Sequence, residues 1–223
     1  MPTLTVGITK AITSLEEVRE KFNLSPSNNP AFFTEWLEAE DSLSDSDRRS
    51  LDRLKTRYFA YVDKGKIAEG TVKIIMLSPL LELMGLCDPP FEIQGEKFVK
   101  FEIEAGGGEE ELVLEGYIDA LVMRDQVWVV LIESKRNGFS IRQALPQTLA
   151  YMMANRNSQN PIFGMIMNGE DYIFIKLDRQ LGEYALSKKF TLDNPQNNEL
   201  YDVVRITNRL VNLSVAAPMR IDL

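Results

Sequence analysis

The chain has 223 residues and no histidine. That absence excludes Ser-His-Asp and Cys-His catalysis, histidine-ligated zinc and an imidazole general base. Acid–base work must fall to Asp, Glu, Lys or bound water. The single cysteine, Cys87, excludes an internal disulfide and fits a reducing, cytoplasmic location. It lies in the loop Gly85-Leu86-Cys87-Asp88-Pro89-Pro90 and reads as a free structural thiol. No apolar stretch approaches the roughly 20 residues of a membrane span. Residues 1–10 lack the charged and then apolar pattern of a signal peptide. Basic residues are outnumbered, 25 against 33 acidic, for a net charge of −8. This argues against a broad basic surface and strong non-specific nucleic-acid binding. The glycine run within Ala105–Glu109 has no Lys-Ser/Thr after it and acidic residues around it, so it reads as a turn and not a phosphate-binding loop. Any motor must then reside on another polypeptide. Repeats, heptads and low-complexity tracts are also lacking.

What the chain does have is two apolar runs of strand length, Leu112–Met123 and Val127–Glu133, with the polar turn Arg124-Asp125-Gln126 between them. Side chains alternate along a strand, so Glu115, Tyr117, Asp119 and Leu121 are expected on one face of the first. Val129, Leu131, Glu133 and Lys135 are expected on one face of the second. A hairpin brings Asp119 beside Glu133 across the ladder. Carboxylates and a lysine at the ends of apolar strands are costly to place there, and two close carboxylates repel. A divalent cation removes both difficulties. All-oxygen ligands suit Mg²⁺, with Mn²⁺ as a substitute, because Mg²⁺ keeps several waters and needs one or two carboxylates. The Ile132 backbone carbonyl can add a further ligand. Lys135 would orient a water for attack on phosphorus, and the metal would stabilise charge on the phosphate oxygens.

The set Asp119, Glu133 and Lys135, followed by Gln147 and Tyr151 at Q-x-x-x-Y spacing, resembles the PD-(D/E)xK nuclease superfamily. In particular it resembles recombination exonucleases and the N-terminal nuclease domain of type I restriction enzyme R subunits. The segment Glu69–Gly85 looks like the first helix of those R-subunit domains. The resemblance covers roughly residues 65 to 180. It departs at Ile118, where the family often has proline. It implies an α/β fold, a restriction-endonuclease-like mixed central sheet flanked by helices. It also implies a DNA-directed, metal-dependent endonuclease of restriction or repair type. Glu69 would complete the metal site, with Glu82 as the alternative. Gln147 would touch the substrate phosphate or a metal-bound water, and Tyr151 would brace its helix. A separate protein partner would supply any motor or specificity function. The alternative is a catalytically silent scaffold that binds a protein or nucleic acid. Oligomeric state is not legible, and a homodimer is compatible with the sequence.

Residues 1–64 read as a helical N-terminal extension packed on the nuclease-like domain of residues 65–223. Ser14 and Glu17 form a capping box for a helix to about Phe22. Ser25–Pro30 is a loop, and Ala31–Ala39 reads as a second helix. Ser44–Asp47 caps a third helix from about Arg48 to Lys64, with Leu51, Leu54, Tyr58 and Tyr61 on one face. Phe32, Phe33 and Trp36 are candidate core residues. In the second part, Lys97–Glu104 is a strand. Ile141–Asn155 is a helix that Pro146 kinks or starts late. Ile162–Met167 and Tyr172–Leu177 are strands joined at Asn168–Asp171. Glu183–Phe190 adds an edge strand, and Asn198–Asn212 is a closing helix.

Overall fold

A computed structural model describes residues 4–40, 42–104, 111–124, 127–155 and 161–216. The expected turn at Ala105–Glu109 and the tip Asp125-Gln126 lie outside the described residues. In chain order the elements are β1 (Leu4–Gly7), α1 (Ile8–Ala11), α2 (Leu15–Phe22), β2 (Ser25–Pro26) and α3 (Asp45–Val62). Then come α4 (Glu69–Val72), a π-helical turn (Lys73–Leu77) and α5 (Ser78–Leu83), which run on as one helix. The strands β3 (Phe91–Glu104), β4 (Glu111–Arg124) and β5 (Val127–Ser134) follow. A 3₁₀ turn (Ile141–Ala144) leads into α6 (Leu145–Met153), then β6 (Ile162–Met167), β7 (Asp171–Asp178), β8 (Glu183–Leu186), β9 (Phe190–Thr191) and α7 (Leu200–Ala216).

Among the described residues the strands form one mixed sheet in the order β1-β4-β5-β6-β7-β8-β2, with β3 on β4 and β9 on β7. This is the mixed α/β architecture expected, a central sheet flanked by helices. Alternating strand residues feed two cores. Val122, Val130, Ile132, Met165 and Phe174 pack beneath α3, the Glu69–Leu83 helix and α7. Leu121, Leu131, Ile166, Ile173 and Ile175 pack beneath α1, α2 and α6. Each such Leu or Ile contributes about 1.5–3 kcal/mol by leaving water.

Local signals account for most of these elements. Ser14 and Ser44 form reciprocal capping boxes with Glu17 and Asp47. Pro146 sits in the first turn of α6, where its missing N–H costs no hydrogen bond, so the helix starts late as expected. Asn168 closes the β6–β7 hairpin by accepting from the N–H groups of Glu170 and Asp171.

Several expectations need correction. Residues 31–39 are not a helix; they form consecutive tight turns, with Leu37 N–H on the Thr34 carbonyl and Glu38 N–H on the Glu35 carbonyl. Lys176, distant in sequence, is the reason: its ammonium donates to the Phe32 carbonyl at 2.7 Å and pairs with the Glu35 carboxylate. Phe32 and Phe33 are buried as expected, but Tyr61 is exposed. The N-terminal residues also supply two strands, β1 and β2, to the sheet. β3 begins at Phe91 rather than Lys97. The expected edge strand over 183–190 breaks into β8 and β9. The alternation assumed along β4 also fails: Ile118 and Leu121 share one core while Ala120 lies in the other. The face changes at Asp119, so Leu121 is buried where Tyr117 is exposed.

Candidate functional site

The sheet forks at the motif. β3 pairs with β4 along its length, so β1 and β5 must share the opposite edge of β4. β1 takes residues 112–115 and β5 takes residues 120–124. Gly116-Tyr117-Ile118-Asp119 is left between them without a strand on that side. β1 is parallel to β4 and β5 antiparallel, so both present their carboxyl ends to this gap. Gaps at the carboxyl ends of strands are where α/β sheets commonly hold ligands.

Asp119 stands one position beyond the Ala120–Ile132 pair and bridges the gap. Its Oδ2 accepts the Ser134 backbone N–H at 2.7 Å, which pins the side chain to β5. Its Oδ1 accepts from the Lys73 ammonium at 2.7 Å. Glu133 is buried, 1% exposed. Its Oε1 accepts from Lys135 at 2.5 Å and from Gln147 at 3.0 Å. Gln147 is also 3.2 Å from the Tyr151 hydroxyl. The Q-x-x-x-Y pair therefore faces the E-x-K pair, one helical turn of α6 spanning both contacts. The 3₁₀ turn and Pro146 aim that first turn at the end of β5. The backbone at and after the motif is also held: Lys135 N–H donates to the Met167 carbonyl at 2.7 Å, and Asn137 N–H to the Ile67 carbonyl.

Electrostatics follow from this packing. Burial, and then the charge of Asp119, push the Glu133 carboxyl up to about 7, against partial relief from Lys135. Burial pulls the Lys73 ammonium down, but its contacts with Asp119 and Glu69 outweigh this and leave it raised. Burial raises the Tyr151 phenol, while Gln147 and the Tyr117 backbone N–H stabilise its oxygen. Glu133 Oε2 is buried and has no hydrogen-bond partner. An acceptor left bare is costly. Glu35 Oε2 and Asp171 Oδ1 are bare as well, but the Glu133 oxygen belongs to a carboxyl that feels the charge of Asp119, and such a pair suits an oxygen-seeking cation.

Of the sequence-predicted residues, Asp119, Glu133, Lys135, Gln147 and Tyr151 come together. Ile132 lies between two ladders, opposite Ala120 and Met165, with its side chain in the core. Glu69 joins the group through Lys73, whose ammonium lies 3.2 Å from its Oε1, and its charge also helps to raise the Glu133 carboxyl. Among the described residues, no three or more Asp, Glu, Cys or His side chains are arranged to hold a metal ion. Glu82 does not reach the site; it is exposed on α5, near Cys87. Besides Lys73 and Lys135, several basic residues are engaged elsewhere. Lys55 binds the Asn194 and Asn197 carbonyls, Arg57 the Ile75 carbonyl, and Lys188 and Lys189 pair with Glu199 and Asp171.

Two residues were not anticipated. Lys73 is one helical turn from Glu69, a spacing the sequence offered. Gly116 carries the other: a Cβ there would lie 2.8 Å from the Tyr151 hydroxyl oxygen, so only glycine admits the ring.

No family model matches the sequence, and no match is found among curated proteins. Among solved structures, the chain is similar to a fragment assigned to the HsdR subunit of a type I restriction enzyme from Vibrio vulnificus YJ016. Identity is 18% and the TM-score 0.40, over 61% of this chain and 26% of that one. The chain thus spans about a quarter of that fragment's length. No helix among the described residues is long and apolar enough to cross a membrane.

Proposed function

We propose that the chain is a Mg²⁺-dependent endonuclease domain acting on DNA, of the PD-(D/E)xK type, with Mn²⁺ able to substitute. The observation that carries this reading is the bare Oε2 of Glu133, buried beside Asp119 at the fork of the sheet. Asp119 and Glu133 would hold the ion, with the Ile132 carbonyl and Glu69 as further ligands. Bound there, the ion would supply Lewis-acid stabilisation of charge on the phosphate oxygens.

The remaining roles belong to the chain's own groups. Lys135 has three N–H donors and spends one on Glu133. The others would hold a water oxygen toward phosphorus and favour its deprotonated form. Gln147 fixes the Glu133 rotamer with one amide N–H and meets the Tyr151 hydroxyl with the other, so its side-chain oxygen is the atom left to accept from a metal-bound water. Tyr151 braces Gln147. An acidic chain gains little from non-specific phosphate contacts, so a partner that delivers DNA, by translocation or by sequence recognition, belongs to this reading. A cytoplasmic site of action accompanies it.

The test is nicking of supercoiled plasmid with Mg²⁺ or Mn²⁺. The native protein should convert the plasmid to open circles, and Lys135→Ala and Asp119→Ala should each lower the rate by at least about a hundredfold, the scale of a general-base or charge-stabilising group. Cleavage that survives both substitutions would place the chemistry elsewhere. A metal-dependent thermal shift without cleavage would favour the scaffold role.

A further inference from the structure

We infer that Lys73 is the resident cation of this site, holding the carboxylate oxygens a divalent ion would use and withdrawing when that ion binds. The inference rests on the metal reading above. Its ammonium lies 2.7 Å from Asp119 Oδ1 and 3.2 Å from Glu69 Oε1. Asp119 Oδ2 is already engaged by the Ser134 N–H, so Oδ1 is the oxygen most open to a metal, and Lys73 is on it. Two of the three carboxylates proposed as ligands therefore share one ammonium. A lysine and a divalent ion on the same oxygen repel strongly at such distances.

The position of Lys73 in the chain allows both states. It opens the π turn, whose Ser78 N–H reaches back to the Lys73 carbonyl. The Ser78 hydroxyl bonds the same carbonyl at 3.1 Å. The backbone at Lys73 is thus fixed, while its side chain is a flexible four-carbon stem. That side chain is about a quarter exposed, and the next residue, Ile74, is 71% exposed. A route to solvent exists without disturbing the core. In the ion-free protein Lys73 screens Asp119 from Glu69 and keeps the fork assembled. The same contact lowers affinity for any divalent ion and disfavours weakly bound ones.

The experiment is calorimetric titration of Mn²⁺ into the full chain, native, Lys73→Met and Asp119→Asn, in parallel with acetylation of Lys73 in the native protein, read by mass spectrometry with and without Mn²⁺. Lys73→Met is expected to bind Mn²⁺ at least tenfold more tightly, about 1.4 kcal/mol. Mn²⁺ is expected to raise Lys73 acetylation in the native protein severalfold. Both results are required. Asp119-dependent Mn²⁺ binding with unchanged or weaker affinity in Lys73→Met, or with unchanged Lys73 acetylation, overturns this inference and leaves the nuclease reading standing. No Mn²⁺ binding by the native chain overturns both. Should Lys73→Met fail to fold, the acetylation of the native protein decides alone.

Discussion

Glu133 ionises where ionisation is resisted. Burial and the neighbouring Asp119 raise its carboxyl from the usual 4.5 to about 7. The folded ion-free protein therefore holds this proton more tightly than the unfolded chain, and stability falls as pH rises between those values. Glu133→Gln removes that penalty while keeping the shape. Its melting temperature should exceed the native one at pH 8, and the gain should fade toward pH 5, where native Glu133 is already protonated. Thermal unfolding at the two pH values checks this. Spacing alone made Glu133 and Lys135 legible, because one intervening residue returns a side chain to the same side of a strand. Lys73 was less legible. An i,i+4 Glu–Lys pair is common on helix surfaces, and nothing in the sequence says that this one folds against Asp119.

Between elements, the decisive contact is α6 on β4 at Gly116. A Cβ there would meet Tyr151 at 2.8 and 3.0 Å from its hydroxyl oxygen and Cε1. In most strands Gly→Ala is neutral or favourable. Here Gly116→Ala should cost about 1–3 kcal/mol by overpacking. It should also slow cleavage at least tenfold, since Tyr151 and Gln147 move off Glu133. Denaturant unfolding and plasmid nicking measure the two effects. The same scale shows why some elements escaped the sequence. Residues 31–39 carry helical spacing but are held as turns by Lys176. β1 is four residues long and pairs only with β4, far along the chain. Caps, by contrast, are local: the box at Ser14 was legible, and so was a cap within Ser44–Asp47, which the structure resolves as a second box at Ser44 with the helix starting at Asp45.

Across the whole molecule, the N-terminal residues are tied to the site. β1 ends at Gly7 opposite Glu115, and the next residue, Ile8, is wholly buried in the core that also holds Tyr151. Ile8→Ala should lower stability by about 2–5 kcal/mol through the cavity it leaves, and urea unfolding reads it directly. The effect should reach cleavage as well, because that core seats α6.

The fork has a further consequence for the timing of motions. At most positions of a sheet, an amide is sheltered by a neighbouring strand and exchanges its proton only when the strand separates. The Tyr117 N–H has no strand on the forked edge; it lies beside the Tyr151 hydroxyl, whose oxygen it helps stabilise. Its exchange with deuterium therefore follows the undocking of a helix rather than the fraying of a ladder. That single proton is a clock for how often Gln147 and Tyr151 leave Glu133.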